Sequence, residues 1–225
     1  MIKVHRSRSN RIAQGDVIRD VAFIESIDEC KGVVEFSKIV FPLVVVLTQD
    51  CDLEQDQRAR KRATEMDVSK RNHDKFLFAV LVAPLYNVEH FIAGEHYSLL
   101  GNKMREFSKK PEASERKTLS QNEIPRYHFI EFPTSIPVIN SVVDFKHTFS
   151  VSIDYLNKLK RKNFICQLSD LYREDVSQRF ASYLSRIGLP TPKVRSPIKS
   201  GILAAPDATI TGNTDGLKSS AEFKG

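Results

Sequence analysis

The chain has 225 residues, of which 41% are hydrophobic, and a formal net charge of +6. This length suits one mid-sized domain with extensions, and the hydrophobic content excludes a wholly disordered chain. The apolar runs have the length of strands and are too short to span a bilayer, so no membrane partner is expected. Three cysteines, at positions 30, 51 and 166, form neither a CxxC pair nor an even set. They predict no disulfide framework and favour a cytoplasmic location.

The N-terminal part of the chain predicts a basic arm followed by β-strands. Residues 1–10 are predicted to be a flexible basic arm without an apolar signal core, and the folded domain is predicted to cover residues 11–190. The stretch QGDVIRDVAFIE predicts a turn at Gly15 and Asp16 and then an alternating strand. GVVEF predicts a short second strand. Residues 39–47 are nearly all apolar and β-branched, which predicts a strand buried on both faces.

The middle of the chain predicts more short strands, separated by basic insertions. The insertions are residues 54–75, predicted to be partly helical, and residues 101–122. Apolar or alternating runs predict strands over residues 76–85, 126–132 and 140–153. Several short strands with only one clear helix predict a mainly β (α+β) fold, namely an SH3-like small barrel with insertions and a C-terminal helix.

The C-terminal part predicts one amphipathic helix and then a tail. In LSDLYREDVSQRFASYLSRIGLP, apolar residues recur every three or four positions, which predicts a helix over residues 168–187. Ser169 can cap its start, and Gly188 and Pro190 end it. We expect this helix to pack onto the barrel or onto a second subunit. Residues 191–225 are rich in Pro, Gly, Ser and Thr and predict a flexible tail.

The order of three segments is similar to that of a known family. QGDVIRDVAF is a Gly-Asp opening strand, FPLVVVLTQD is a proline followed by an apolar strand, and the strand at residues 142–145 precedes a basic segment and the amphipathic helix. In this order the chain distantly resembles the PemK/MazF family of bacterial toxins. The resemblance implies an SH3-like barrel that usually dimerises, acts on RNA and belongs to a bacterial toxin–antitoxin or defence system.

The chain departs from the family pattern at two positions. Family members that cleave RNA typically carry an arginine just before the strand proline and a threonine or serine in the next core strand. Here Phe41 precedes Pro42, and the next core strand, AVLVAPLYN, has neither hydroxyl residue. The leading hypothesis is that the chain binds nucleic acid, or cleaves it with the help of a metal ion, without the usual ribonuclease pair. The two departures favour the alternative, which is a non-enzymatic interaction module, a degenerate barrel that dimerises or binds a protein partner through its helix and tail.

An acid–thiol–acid triplet, Asp50, Cys51 and Asp52, follows the buried strand and is the candidate catalytic site of a nuclease. Two neighbouring carboxylates disfavour a thiolate, so Cys51 would need a cation from elsewhere in the fold. If the strand continues, Asp50 and Asp52 project to the same side and could hold a hard divalent cation with water. The alternative is a polar turn that ends the strand and satisfies loop amides.

Four basic clusters, RARKR, SKRNHDK, SKKPEASERK and KLKRK, lie in predicted loops between apolar segments. They are predicted to contact the phosphates of RNA or DNA, and the alternative is that they are solvated loops. Arg126 alternates with aromatic residues on a predicted strand, as in sheets that stack bases, and His147 is a candidate general acid or base. The residues predicted to bind nucleic acid are Arg58, Arg60, Lys61, Arg62, Lys70, Arg71 and Arg126.

Overall fold

The computed structural model describes residues 1–6, 9–66, 73–108, 110 and 114–185. The chain divides into two units, Met1–Gly188 and Leu189–Gly225, and the described residues all belong to the first. The strands are Val4–His5 (β1), Asp16–Cys30 (β2), Val33–Val46 (β3), Ala79–Asn87 (β4), Tyr127–Ile130 (β5), Ser141–Asp144 (β6), Phe149–Ser152 (β7) and Phe164–Leu168 (β8). The α-helices are Asp50–Glu65 (α1), Val88–Ile92 (α2), Ser114–Ser120 (α3), Ile153–Asn163 (α4) and Asp170–Ser185 (α5). The predicted tail, residues 191–225, lies outside the described residues.

The strands form one antiparallel sheet that curls into a half-barrel. Seven strands follow one another in the order β1-β8-β2-β3-β4-β6-β5, and β7 pairs with β4. The two ends of β4 have different partners: Ala79–Val82 pair with β7, and Leu85–Asn87 pair with β6. The prediction of a mainly β (α+β) small barrel with a C-terminal helix is therefore confirmed.

The sheet buries apolar side chains on both of its faces in the central strands. In β3, Val44 and Val46 belong to one hydrophobic cluster and Val45 to the other, and all three are at most 1% exposed. This is the pattern expected for a strand covered on both sides, since successive side chains point to opposite faces. Helices α1 to α4 contribute to the first cluster and α5 to the second.

Strands β2 and β3 continue beyond the sheet as a two-stranded ribbon. β8 pairs with β2 only at Asp16–Ile18, and β4 pairs with β3 only at Val44–Val46, whereas β2 and β3 pair with each other out to Cys30 and Val33. The turn residues Lys31 and Gly32 have φ values of 54° and 79°, as a two-residue hairpin turn of this hand requires. The two strands predicted over residues 32–36 and 39–47 are thus one continuous strand, Val33–Val46, and Gly32 belongs to the turn.

Helix α1 begins in the segment predicted as a strand end and continues through residues 54–65, which were predicted to be partly helical, whereas α4 includes a predicted loop. The acid–thiol–acid triplet begins α1, which carries Asp50 and Asp52 in its first turn and Arg62 in its last, so its charges suit the helix dipole. In α4, Ile153, Leu156 and Lys160 are buried at helical spacing. The prediction that KLKRK is a loop is wrong, because residues 158–162 form the C-terminal half of this helix.

The C-terminal helix and the N-terminus both pack against the barrel. Helix α5 confirms the helix predicted over residues 168–187, and its Phe180 ring lies 5.4 Å from the ring of Phe145, measured between centroids. The helix therefore packs onto the barrel of its own chain. At the other end, β1 pairs with β8, so the predicted basic arm, residues 1–10, contains a short strand. None of the helices in the described ranges is long and apolar enough to cross a membrane.

Candidate nucleic-acid interface

Asp50 lies at the start of α1, enclosed by two arginines from distant parts of the chain. Arg11 Nη1 donates to Asp50 Oδ1 at 2.8 Å and Arg11 Nη2 donates to Oδ2 at 2.7 Å. The backbone N–H of Gln14 donates to Oδ1 at 3.1 Å, and Arg173 Nη1 is 3.7 Å from Oδ2. Hydrogen bonds from Arg11 are the main cause that holds the pKa of Asp50 below its usual value. Both carboxylate oxygens thus have cationic partners within the protein.

The other two residues of the triplet point into solvent. Cys51 and Asp52 are exposed, and the Cys51 thiol is 3.6 Å from Gln49 Oε1 and 3.7 Å from Asp52 Oδ1. Because the triplet is helical, Asp50 and Asp52 lie about 200° apart around the helix axis. The expectation that they project to one side, which assumed a continuing strand, is wrong. Within the described part of the chain, no group of three or more His, Cys, Asp or Glu side chains could hold a metal ion.

A wide groove lies beside the triplet, between α1, α4 and the segment that precedes β2. It has a volume of about 940 Å³, which is near the upper end of typical binding pockets. Six basic and two acidic side chains line it. The basic ones are Arg11, Arg60, Lys61, Lys158, Lys160 and Arg161, and the acidic ones are Asp56 and Asp154. We call this feature the basic groove.

Arg60 in the wall of the groove is committed to the fold. Its Nε donates to both oxygens of the buried Asp56 at 2.9 Å, and its Nη2 donates to the carbonyl oxygen of Leu77 at 2.9 Å. Asp56 also accepts the backbone N–H of Leu77 at 2.7 Å. These bonds fasten α1 to the chain that enters β4, so Arg60 serves as a rigid wall residue rather than as a mobile cation.

A buried ion pair closes the floor of the groove. Lys160 Nζ donates to Asp16 Oδ2 at 2.6 Å, to the carbonyl oxygen of Arg11 at 2.5 Å and to Ser9 Oγ at 3.1 Å. Asp16 is fully buried and its Oδ1 has no partner among the described residues. Burial raises the pKa of Asp16, while the Lys160 cation opposes that rise. The pair fixes α4 against the turn before β2.

The glycine of this turn is required by the backbone. Gly15 has a φ of 79°, and a Cβ at this position would lie 3.1 Å from the Cβ of Leu168. The Gly15–Asp16 segment therefore has the structural role that the sequence indicated: a turn residue followed by a hydrogen-bonded neighbour.

Three cations of the groove face solvent: Lys61 on α1, and Lys158 and Arg161 on α4. Lys61 and Lys158 form no ion pair with any carboxylate in the described ranges. Exposed ammonium groups on two facing helices can contact an anion in the groove without first breaking an internal ion pair. Lysine and arginine side chains neutralise backbone phosphates in proteins that bind nucleic acid.

The remaining residues predicted to bind nucleic acid have different surroundings. Arg58 pairs with Glu54 one turn earlier in α1, and Arg62 is exposed but outside the groove lining. Arg126 donates to Asp144 at 2.8 and 2.6 Å and lies over the Tyr127 ring, so its guanidinium has internal partners. Lys70 and Arg71 lie outside the described residues. The groove thus brings Arg60 and Lys61 of the predicted RARKR cluster together with Lys158, Lys160 and Arg161 of the KLKRK cluster.

A cluster of aromatic and histidine rings lies at the other end of β4. Tyr86 Oη donates to Tyr97 Oη at 2.7 Å and lies 3.1 Å from His147 Nδ1, which is 3.4 Å from Asp144 Oδ2. His96 stacks on Phe91 within the same cluster, and burial lowers its pKa to about 4. Burial also lowers the pKa of His147. These contacts make His147 part of a partly buried cluster of hydrogen-bonded and stacked rings.

No protein-family model and no curated protein sequence matches this chain.

Proposed function

We propose that this protein binds nucleic acid through the basic groove, with Lys61, Lys158 and Arg161 contacting backbone phosphates. The main observation behind the proposal is that exposed cations on α1 and α4 face each other across a groove of about 940 Å³. Its walls are held by internal ion pairs, so the site is formed before the ligand arrives. Contacts of this kind go to phosphates and are insensitive to base sequence.

The proposal includes a distant relationship to PemK/MazF-like toxin barrels. It is supported by the curled antiparallel sheet and by the Gly15–Asp16 opening of β2. We propose binding without cleavage for two reasons. Asp50 is held by Arg11 and Arg173. In addition, Phe41 stands where the resemblance places an arginine for RNA cleavage, and β4 lacks the threonine or serine.

Salt dependence of binding tests the proposal directly. The probes are fluorescently labelled single-stranded RNA, single-stranded DNA and duplex DNA of mixed sequence, with affinity measured by anisotropy at several salt concentrations. If binding depends on phosphate contacts, log Kd rises linearly with the logarithm of the salt concentration. Replacing Lys61 and Lys158 by Gln removes two contacts, so the slope should fall by about 2.

Lys3→Gln with Lys146→Gln is the matched control, because both lysines are exposed, neither lines the groove and neither belongs to a predicted basic cluster. It removes the same charge from elsewhere on the surface and should leave the slope nearly unchanged. Equal losses in the two double variants would assign the effect to net charge and contradict a specific groove. Affinity that does not respond to salt would contradict phosphate binding altogether. The ranking of the three probes distinguishes RNA from DNA.

A further inference from the structure

The β2–β3 ribbon has one face that points away from the core. Phe23 and Ile39, which pair with each other, pack against the first hydrophobic cluster, so the alternate positions point outward. A β-bulge at Glu25 adds one residue to β2 between the pairs Ile24–Lys38 and Ser26–Ser37, so the outward positions of the two strands stay opposite each other beyond it. The outward positions of β3 are Val34, Phe36, Lys38 and Val40, and their partners on β2 are Glu29, Ile27, Ile24 and Ala22.

Apolar side chains form a stripe along this outer face. Ile27 and Phe36 are directly opposite each other and are 65% and 63% exposed. Ile24, Val34 and Val40 continue the stripe and are 55%, 62% and 48% exposed. Together they expose on the order of 500 Å², near the top of the range that monomeric proteins leave uncovered. A surface of this kind marks an interaction site.

Two opposite charges flank the centre of the stripe. Lys38 lies in the row of Ile24 on one side of the Ile27–Phe36 row, and Glu29 lies in the row of Val34 on the other. Both are exposed, and neither forms an ion pair with a residue of the described ranges. Consider two copies that pack face to face about a twofold axis between them, parallel to the Ile27–Phe36 row and therefore perpendicular to the strands. This axis places the Lys38 row of one copy over the Glu29 row of the other. An axis along the strands would instead superimpose like charges.

We propose that two copies of this chain associate face to face through the outer face of the ribbon, with their strands antiparallel across the twofold axis. Ile27 and Phe36 form the apolar centre, and Lys38 of each copy approaches Glu29 of the other. The contact is isologous, so the same patch serves both copies and the assembly closes at two. This surface is distinct from α5, which packs Tyr172, Val176, Phe180 and Tyr183 against the second hydrophobic cluster of its own chain.

Sedimentation velocity of the full chain tests the proposal. Across the micromolar range we expect a species with twice the 25.6 kDa mass of one chain. Phe36→Glu puts a charge at the centre of the apolar contact and should weaken association about tenfold or more. Because Phe36 lies outside the core, circular dichroism should show an unchanged fold. Leu99→Glu is the matched control, since Leu99 is fully exposed and lies outside the ribbon.

A charge exchange separates a second copy from any other occupant. Glu29→Lys or Lys38→Glu alone makes the two rows alike in charge and should weaken the dimer. The double variant Glu29→Lys/Lys38→Glu again places opposite charges in the two rows that face each other, so it should restore the dimer. The proposal is overturned if the natural chain is monomeric throughout this range. It is equally overturned if Phe36→Glu leaves the dimer intact, or if the double variant is weaker than both single variants.

Discussion

Asp50 illustrates how partners that are distant in sequence determine what a single residue can do. In the sequence it stands beside Cys51 and Asp52, and those neighbours suggested a reactive or metal-binding triplet. In the fold its partners are Arg11 and Arg173, 39 and 123 positions away in the chain. A carboxylate enclosed by two guanidinium groups is stabilised in its ionised form. It is therefore suited to anchoring the start of α1, which also favours negative charge.

His128 provides a pH test at the same scale. It is 4% exposed, and burial lowers its pKa to about 4, with Arg179 acting in the same direction and Asp175 opposing. In the unfolded chain its pKa is about 6.5, so the unfolded state binds a proton first as pH falls. Its contribution to stability is complete above about pH 6.5 and is lost progressively toward pH 4.

We expect the free energy of unfolding to fall by about 1–3 kcal/mol from this residue between neutral pH and about pH 4. Urea denaturation of the natural chain and of His128→Leu over this range measures it. The variant should show a shallower decline. Parallel curves for the two proteins would show that His128 does not titrate between its folded and unfolded values. His96, whose pKa is also lowered to about 4, should leave part of the decline in the variant.

At the scale of elements, the groove exists because α1 and α4 pack against the same hydrophobic cluster. Leu53 of α1 and Leu156 of α4 are both in that cluster and are at most 2% exposed. Polar side chains of the two helices then lie across from each other above the apolar layer. The buried pair of Lys160 and Asp16 sets the position of α4 relative to the turn before β2.

Removing one member of this pair should lower the free energy of unfolding more than removing both members does. Lys160→Met leaves the buried Asp16 carboxylate without its cation, and we expect a loss of about 3–5 kcal/mol in urea unfolding. Adding Asp16→Asn should cost less than the sum of the two single changes, because neither charge is then left alone. Lys158→Met, on the exposed face of the same helix, should change stability by less than about 0.5 kcal/mol. A Lys160→Met loss as small as that of Lys158→Met would contradict the structural role.

At the scale of the whole molecule, the two proposed surfaces are separate. The groove is lined by residues 9–12, α1 and α4, and none of its lining among the described residues belongs to β2 or β3. The surfaces also differ in chemistry, since one is cationic and concave and the other is an apolar stripe on a projecting ribbon. Loss of one should therefore leave the other intact.

We expect Phe36→Glu to bind an oligonucleotide short enough for one groove with the affinity of the natural chain. Conversely, the Lys61→Gln/Lys158→Gln variant should keep its dimer. Anisotropy with the short probe and sedimentation velocity measure the two properties separately. Reduced affinity for the short probe in Phe36→Glu would show that the second copy contributes to the nucleic-acid site. With longer probes the dimer should bind more tightly through two linked sites.

Patterns that extend over a few neighbouring residues predicted much of the fold. Alternation predicted β2 and β5, continuous apolar runs predicted the buried half of β3 and β4, and the spacing of three and four predicted α5. The prediction that residues 54–75 are partly helical is confirmed for residues 54–65 of α1, but the start of α1 at Asp50 and the whole of α4 were missed. The triplet looked like the end of a strand because the apolar run before it had no terminator, and KLKRK looked like a loop because its buried member is a lysine. Only a partner such as Asp16, far away in sequence, makes burial of that lysine favourable.

By itself, the sequence determined the class of the protein: a mainly β chain with strand-length apolar runs, a C-terminal helix and an excess of basic residues in clusters. These properties depend on composition and on near neighbours, which the sequence states directly. Only the tertiary structure decided which basic clusters face each other, that Asp50 meets Arg11 and that β2 and β3 project with an uncovered apolar stripe. Those outcomes depend on which distant segments share one hydrophobic layer, and local patterning does not specify that choice.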